Sequence, residues 1–146
     1  MLQKIVISAA LAAVLMTSPQ ARADDKDVIE YRQRNMKTLQ EQTAIIGELV
    51  SAAIPADNLA AHAEAIALAA QIALKTFEQN VPGGESKPEV WTKWADFSAR
   101  MNTFAQKTRM FADTAKKGGT IYEMTAILTE ALPCKECHDV YRQEGK

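Results

Sequence analysis

Two cysteines and two histidines are all that this 146-residue chain offers for thiol or imidazole chemistry. A zinc site wants two pairs of ligands, and beyond Cys134, Cys137 and His138 only His62 remains to supply them. No convincing β-strand pattern occurs, which argues against a thioredoxin-type dithiol, since that motif follows a strand in a βαβ unit. No internal repeat or low-complexity tract is present. The apolar run Ile5 to Met16 is 12 residues long, short of the ~17 to 25 needed to span a bilayer as a helix. An excess of positive charge is missing too: the formal net charge is −1, which disfavours nucleic acid and anionic membrane surfaces as partners.

The N-terminus has the marks of a leader. Lys4 precedes the apolar run, and Ala21-Arg22-Ala23 gives the small-x-small pattern read by signal peptidase. Cleavage after Ala23 makes residues 1–23 a signal peptide and leaves a single domain, 24–146, of 123 residues, long enough for a real core. Loss of Lys4 and Arg22 takes the formal charge from −1 to −3. An exported chain whose two cysteines fall in one motif fits a bacterial periplasm, with no membrane insertion after cleavage.

That motif is Cys134-Lys135-Glu136-Cys137-His138. C-x-x-C-H is the attachment sequence of a c-type haem. Each thiol can add to a vinyl group of the porphyrin, and the histidine that follows serves as proximal iron ligand. On a helix, positions 134, 137 and 138 share a face, so a single turn can hold one covalent haem c at three points. A structural disulfide, a redox dithiol and half of a zinc site are the competing readings of the two thiols.

The rest of the chain divides into four apolar-periodic segments separated by turn signals. The first, about Asp25 to Ala53, carries Ile29, Arg32, Met36, Leu39, Thr43, Ile46, Val50 and Ala53 at spacings of three and four. Pro55 stops it, and Asp57 is a candidate N-cap for the second segment, whose seam is Leu59, Ala63, Ile66, Ala70, Ala73 and Phe77. After Pro82-Gly83-Gly84, Ser86-Lys87-Pro88-Glu89 reads as a capping box for a third, with Trp94, Phe97, Met101, Phe104, Thr108, Phe111 and Ala115. Gly118-Gly119 ends it, and Thr120-Ile121-Tyr122-Glu123 is a second capping box. The fourth seam is Met124, Ile127, Ala131, Cys134, His138 and Tyr141, with Pro133 placed either to kink it or to restart the haem-bearing turn near its first position. Four helices of about 20 to 29 residues with brief connections predict an all-α, up-down-up-down antiparallel four-helix bundle. The alanines at 63, 70, 73 and 131 leave room beside the seam for a porphyrin, or simply permit close helix packing.

Three stretches carry a family likeness: Tyr31-Arg32-Gln33 with Met36, Gly84-Glu85-Ser86-Lys87-Pro88-Glu89-Val90-Trp91, and Cys134 to Arg142. With them the chain resembles the class II c-type cytochromes, that is, cytochrome c′ and its low-spin relatives. The C-terminal location of the haem motif is the specific element, since class I cytochromes carry it near the N-terminus and recruit a downstream methionine. No methionine follows His138, so a second iron ligand must come from an earlier helix. The resemblance implies that Arg32 and Gln33 lie beside the haem, with Arg32 close to a propionate, and that Glu85 is an acidic neighbour. It also places Met36 at the distal face, as candidate sixth ligand, and makes Arg142 a basic residue near His138. Many members pair through their first two helices, so a homodimer is expected, with Ala60, Ala61, Ala65 and Ala69 offering close approach.

Tyr141, Phe77, Trp91 and Trp94 read as packing residues, His62 as a surface residue, and Met101, Met110 and Met124 as fillers. No nucleophile-base constellation is visible, so no enzyme is expected. The expected function is one-electron transport between redox partner proteins, with His138 and Met36 as axial ligands. The alternative is a five-coordinate haem that binds nitric oxide or carbon monoxide beneath Met36, and a helical module without haem is the third reading. Intact-mass measurement of protein made with a cytochrome c maturation system should give residues 24–146 plus one haem, retained after acid-acetone extraction. Free thiols at Cys134 and Cys137 in such material would contradict the haem reading.

Overall fold

A computed structural model describes residues 24–143; the expected leader, 1–23, lies outside the described residues. The fold is all-α. Six helical segments follow one another: α1 (Asp25–Val50), α2 (Leu59–Ala73), α3 (Glu89–Thr92), α4 (Trp94–Lys116), α5 (Ile121–Ala131) and α6 (Cys134–Tyr141), with short 3-10 turns at Ala56–Asn58 and Leu74–Phe77. Among the described residues the only β-type pairing is two isolated bridges, Gly83 with Ser86 and Ser86 with Arg142. α3 with α4 and α5 with α6 form the third and fourth legs of the bundle.

The seams determine what is buried. α2 is central, because its inward positions Ala63, Ile66, Ala67, Ala70 and Ala73 are essentially without solvent contact and, being mostly alanine, let both neighbours approach. It packs against α1 through Leu39, Ile46 and Leu49 and against α4 through Phe97, Met101, Phe111 and Ala112. α4 in turn packs on α5, whose Met124, Leu128 and Ala131 are buried. The extensive helix contacts are therefore α1 with α2, α2 with α4 and α4 with α5; α1 makes none of comparable extent with α5 or α6.

Several local expectations change. α1 ends at Val50 rather than Ala53, because Ala52 adopts a left-handed backbone (φ 59°) and the Ala53 amide turns back to the Glu48 carbonyl (3.0 Å). Asp57 sits inside the 3-10 turn, and Asn58, without a side-chain cap bond, precedes α2. The Ser86 capping box does not form: Pro88 is the cap residue, and the Ser86 hydroxyl accepts instead from Arg32 (3.1 Å). A break at Lys93 (φ −116°, ψ 39°) then separates α3 from α4. The Thr120 capping box does form, with the Glu123 amide donating to Thr120 Oγ1 (3.2 Å) and the Thr120 amide to Glu123 Oε2 (2.8 Å). Of the two expectations for Pro133, the restart is the one observed. Having no N–H to give Thr129, the proline interrupts the helix at Leu132-Pro133, and α6 begins afresh with the Cys137 amide bonded to the Pro133 carbonyl (3.4 Å).

Candidate haem site

α6 is a short helix held from two sides, and its anchoring fixes the motif. Tyr141, buried at its end, stacks edge-on against Phe97 (centroids 5.0 Å apart, planes at 72°) and donates its hydroxyl to Asp96. Phe97 in turn meets Phe77 edge-on at 5.0 Å, so Tyr141 and Phe77 are packing residues as expected. Trp91 and Trp94 are half buried against the same core, and Trp91 Nε1 donates to the Phe77 carbonyl (2.9 Å).

On the other side the 83–87 segment runs antiparallel to the end of α6. The Lys87 amide donates to the Tyr141 carbonyl (2.9 Å), the Gln143 amide to the Glu85 carbonyl (2.7 Å) and Lys87 Nζ to the Asp139 carbonyl (2.8 Å). Arg142 and Glu85 form an ion pair across the two strands. Gly83 and Gly84 adopt positive φ, and α1 lies so close that a Cβ at Gly83 would stand 2.6 Å from Ile29 Cδ1.

The motif's groups differ in exposure. Cys134 and Cys137 are not bonded to each other; Cys134 is exposed, Cys137 is half buried against the core, and His138 is exposed at the level of the residue. Surrounding protein nonetheless pushes both thiols above the usual cysteine range. It also lowers the His138 imidazole, and the Arg142 cation lowers it further, while Glu85 and Asp139 oppose. A neutral imidazole is the form that binds iron.

Arg32 is the least expected of the family positions. It is only 2% exposed, and among the described residues no carboxylate pairs with it. Its guanidinium donates from Nε to the Thr76 carbonyl (3.4 Å), from Nη1 to Ser86 Oγ (3.1 Å) and from Nη2 to the Val81 carbonyl (3.0 Å). It lies 4.8 Å from the Phe77 ring centroid and 5.1 Å from that of Trp91, and burial lowers its pKa. Gln33 is exposed, with its amide against Gly84. Met36, one turn on from Arg32, is half buried against the core. Met101 and Met124 are buried fillers and Met110 is exposed. His62 is half buried rather than superficial, its Nδ1 2.8 Å from Gln42 Oε1 between α1 and α2.

Sequence reasoning missed the partners rather than the principals. Ser86, Lys87 and Asp96 were not singled out as fastening the site, although a lone arginine on an apolar seam is itself a signal that distant acceptors are needed. These residues fit a c-type haem. The two thiols and the imidazole project from one helical turn on α6, and α1, which carries Met36, makes no extensive contact with α5 or α6. No group of three or more His, Cys, Asp or Glu side chains among the described residues could hold a metal ion by itself.

An all-α bundle with a C-terminal Cys-x-x-Cys-His turn defines a c-type haem protein of the four-helix kind. The cytochrome c′ family model matches residues 27–142, and the chain belongs to that family. It is similar to cytochrome c′ of Rubrivivax gelatinosus (30% identical over 125 residues, 81% of this chain and 95% of the relative). Cytochrome c′ of Pararhodospirillum photometricum is 28% identical over 125 residues, covering 83% of this chain and 100% of the relative. Among solved structures, a ferrous variant of the Alcaligenes xylosoxidans protein with bound nitric oxide superposes with a TM-score of 0.78 at 22% identity, over 86% of this chain and all of that one. Cytochrome c′ from Shewanella frigidimarina gives 0.77 at 24% identity, over 85% of this chain and all of that one. The cofactor is accordingly one haem c, attached covalently through Cys134 and Cys137.

Tyr141 supplies a pH test of how α6 is anchored. Burial and the bond to Asp96 push its phenol from 10.0 up to about 12. The unfolded chain therefore ionises first as pH rises, so this stabilisation is complete below pH 10 and lost between pH 10 and about 12. Guanidinium unfolding of Tyr141→Phe should show about 1 kcal/mol less stability at pH 7 and a shallower alkaline decline than wild type. An equally steep decline in the variant would assign it to another group.

Proposed function

We propose that this protein is an exported single-haem electron carrier in which His138 is the proximal ligand and Met36 the sixth. Residues 1–23 serve as the leader, and 24–146 form the haem domain that functions in the periplasm. Haem c supplies a ferric/ferrous couple for one-electron transfer and, where a coordination position is open, a site for a diatomic gas. The chain's own residues do the rest: Cys134 and Cys137 fix the macrocycle, and burial together with the Arg142 cation favours the neutral form of the His138 imidazole. The observation that carries the reading is Met36, a half-buried thioether on α1 one turn beyond Arg32. Methionine paired with histidine raises the potential of haem iron and suits it to electron transfer.

A second reading has its own support, since nitric oxide complexes of similar cytochrome c′ proteins have been solved. In it Met36 covers the distal face without bonding iron, and the protein captures nitric oxide or carbon monoxide. The visible spectrum separates the two. Ligation by Met36 gives a low-spin ferric protein with a far-red sulfur-to-iron charge-transfer band, which Met36→Ala abolishes while admitting small ligands. A wild-type protein that is high-spin and five-coordinate when ferrous contradicts ligation and leaves gas binding.

A homodimer through α2 belongs to the same proposal. Ala61, Ala65, Leu68 and Ile72 recur at spacings of three and four on one stripe, with Leu68 53% and Ile72 45% exposed. Ala60 is exposed beside it, whereas Ala69 is buried in the core and cannot serve. Sedimentation at micromolar concentration should give twice the protomer mass; a monomer mass independent of concentration would remove the dimer.

A further inference from the structure

We propose that the 83–87 segment is a clasp on the haem-bearing turn, in which Arg32 and Glu85 act as positioning residues for His138. The proposal rests on His138 being the proximal ligand. Its basis is a chain of bonds that crosses the molecule. Arg32, buried on α1, bonds Ser86 Oγ within the segment and, ahead of it, Val81 O and Thr76 O of the 3-10 turn. One residue before Ser86, Glu85 pairs with Arg142, and its carbonyl takes the Gln143 amide; one residue after, Lys87 binds the Tyr141 and Asp139 carbonyls. Every connection from the loop to α6 falls within the last turn of that helix or just beyond it, directly after His138.

The electrostatic consequence follows from where the charges stand. Arg142 lies one helical turn beyond His138, and a cation there favours ferrous over ferric iron, because the oxidised centre carries the extra positive charge. Glu85 is held against that cation and cancels much of its field. Both side chains are about half exposed, so the carboxylate keeps this effect only while the loop keeps it in place; released into water, it would be screened. Arg32 is what keeps the loop in place. Its bond to Ser86 Oγ fastens the residue next to Glu85 in sequence, and its bond to Val81 O fixes the backbone four residues before it.

The test combines reduction potentials with amide hydrogen exchange on the haem-loaded protein. Glu85→Gln should raise the potential and Arg142→Gln should lower it, and in the Arg142→Gln background the Glu85→Gln shift should shrink to less than half. Ser86→Ala, which removes one acceptor of Arg32 outside the bundle core, should speed exchange at the Lys87 and Gln143 amides at least tenfold and move the potential in the same direction as Glu85→Gln. Equal Glu85→Gln shifts in the two backgrounds would overturn the proposal, because Glu85 would then act on the haem independently of Arg142. Unchanged exchange at both amides in Ser86→Ala would overturn it as well. The two levels fail separately: protein lacking covalent haem ends the haem reading, whereas haem-loaded protein with additive potentials ends only the clasp.

Discussion

The buried guanidinium of Arg32 is the interaction on which the haem-bearing end of the bundle depends. Taking a cation out of water costs several kcal/mol, and here no carboxylate compensates. What offsets the cost is three protein oxygens at hydrogen-bond distance and two aromatic rings, Phe77 and Trp91, within cation–π range. Those partners come from the 3-10 turn after α2, the loop that follows and the start of the third leg. One side chain thus converts a glycine-bearing connection into a fixed surface. α6, only eight residues long and cut off from α5 by Pro133, takes its place from that surface on one side and from Phe97 and Asp96 on the other.

This arrangement divides the work between rigid and local parts. The contact of α2 with α1 and α4, made close by alanine, forms the frame. α5 closes on α4, and α6 is laid against the start of α4 through Tyr141, with Cys137 half buried on the core and Cys134 and His138 exposed. Met36 belongs to the frame and His138 to the attached turn, so the two proposed axial positions are set by different elements. Spin state and potential would then respond to small changes in how α6 is held, while stability of the bundle would respond mainly to α2 and its neighbours.

Much of this could be read in the sequence where the signal is local and periodic. The seams of α2 and α4 predict most of their buried residues, whereas in α1 Asn35 and Leu49 are buried off the seam and Ala53 is exposed beyond the helix end; Thr120 with Glu123 forms the capping box that its spacing promises. The haem motif is legible because its chemistry requires adjacent residues. Reading fails where a residue has a choice between a near and a distant partner. Ser86 has the spacing of a cap, yet its hydroxyl meets an arginine 54 positions away, and a charged donor outcompetes a backbone amide for it. Asp57 loses its capping role to a 3-10 turn, because Pro55 and the left-handed Ala52 set the chain's path before the helix begins. Arg32 stands on an apolar seam in the sequence, but nothing local says that its acceptors lie at Thr76, Val81 and Ser86. The loss of helix at Pro133 is legible from proline's missing amide, whereas the anchoring of the resulting short helix is tertiary and is not.

A crystal structure of the haem-loaded protein tests the account most directly. It should show the porphyrin bound to Cys134 and Cys137 between α6 and α1, with His138 and Met36 on opposite sides of the iron and Arg32 still bonded to Thr76, Val81 and Ser86. A porphyrin lying on the solvent side of α6, or an Arg32 turned out of its aromatic pocket with the 83–87 segment detached from α6, would contradict it.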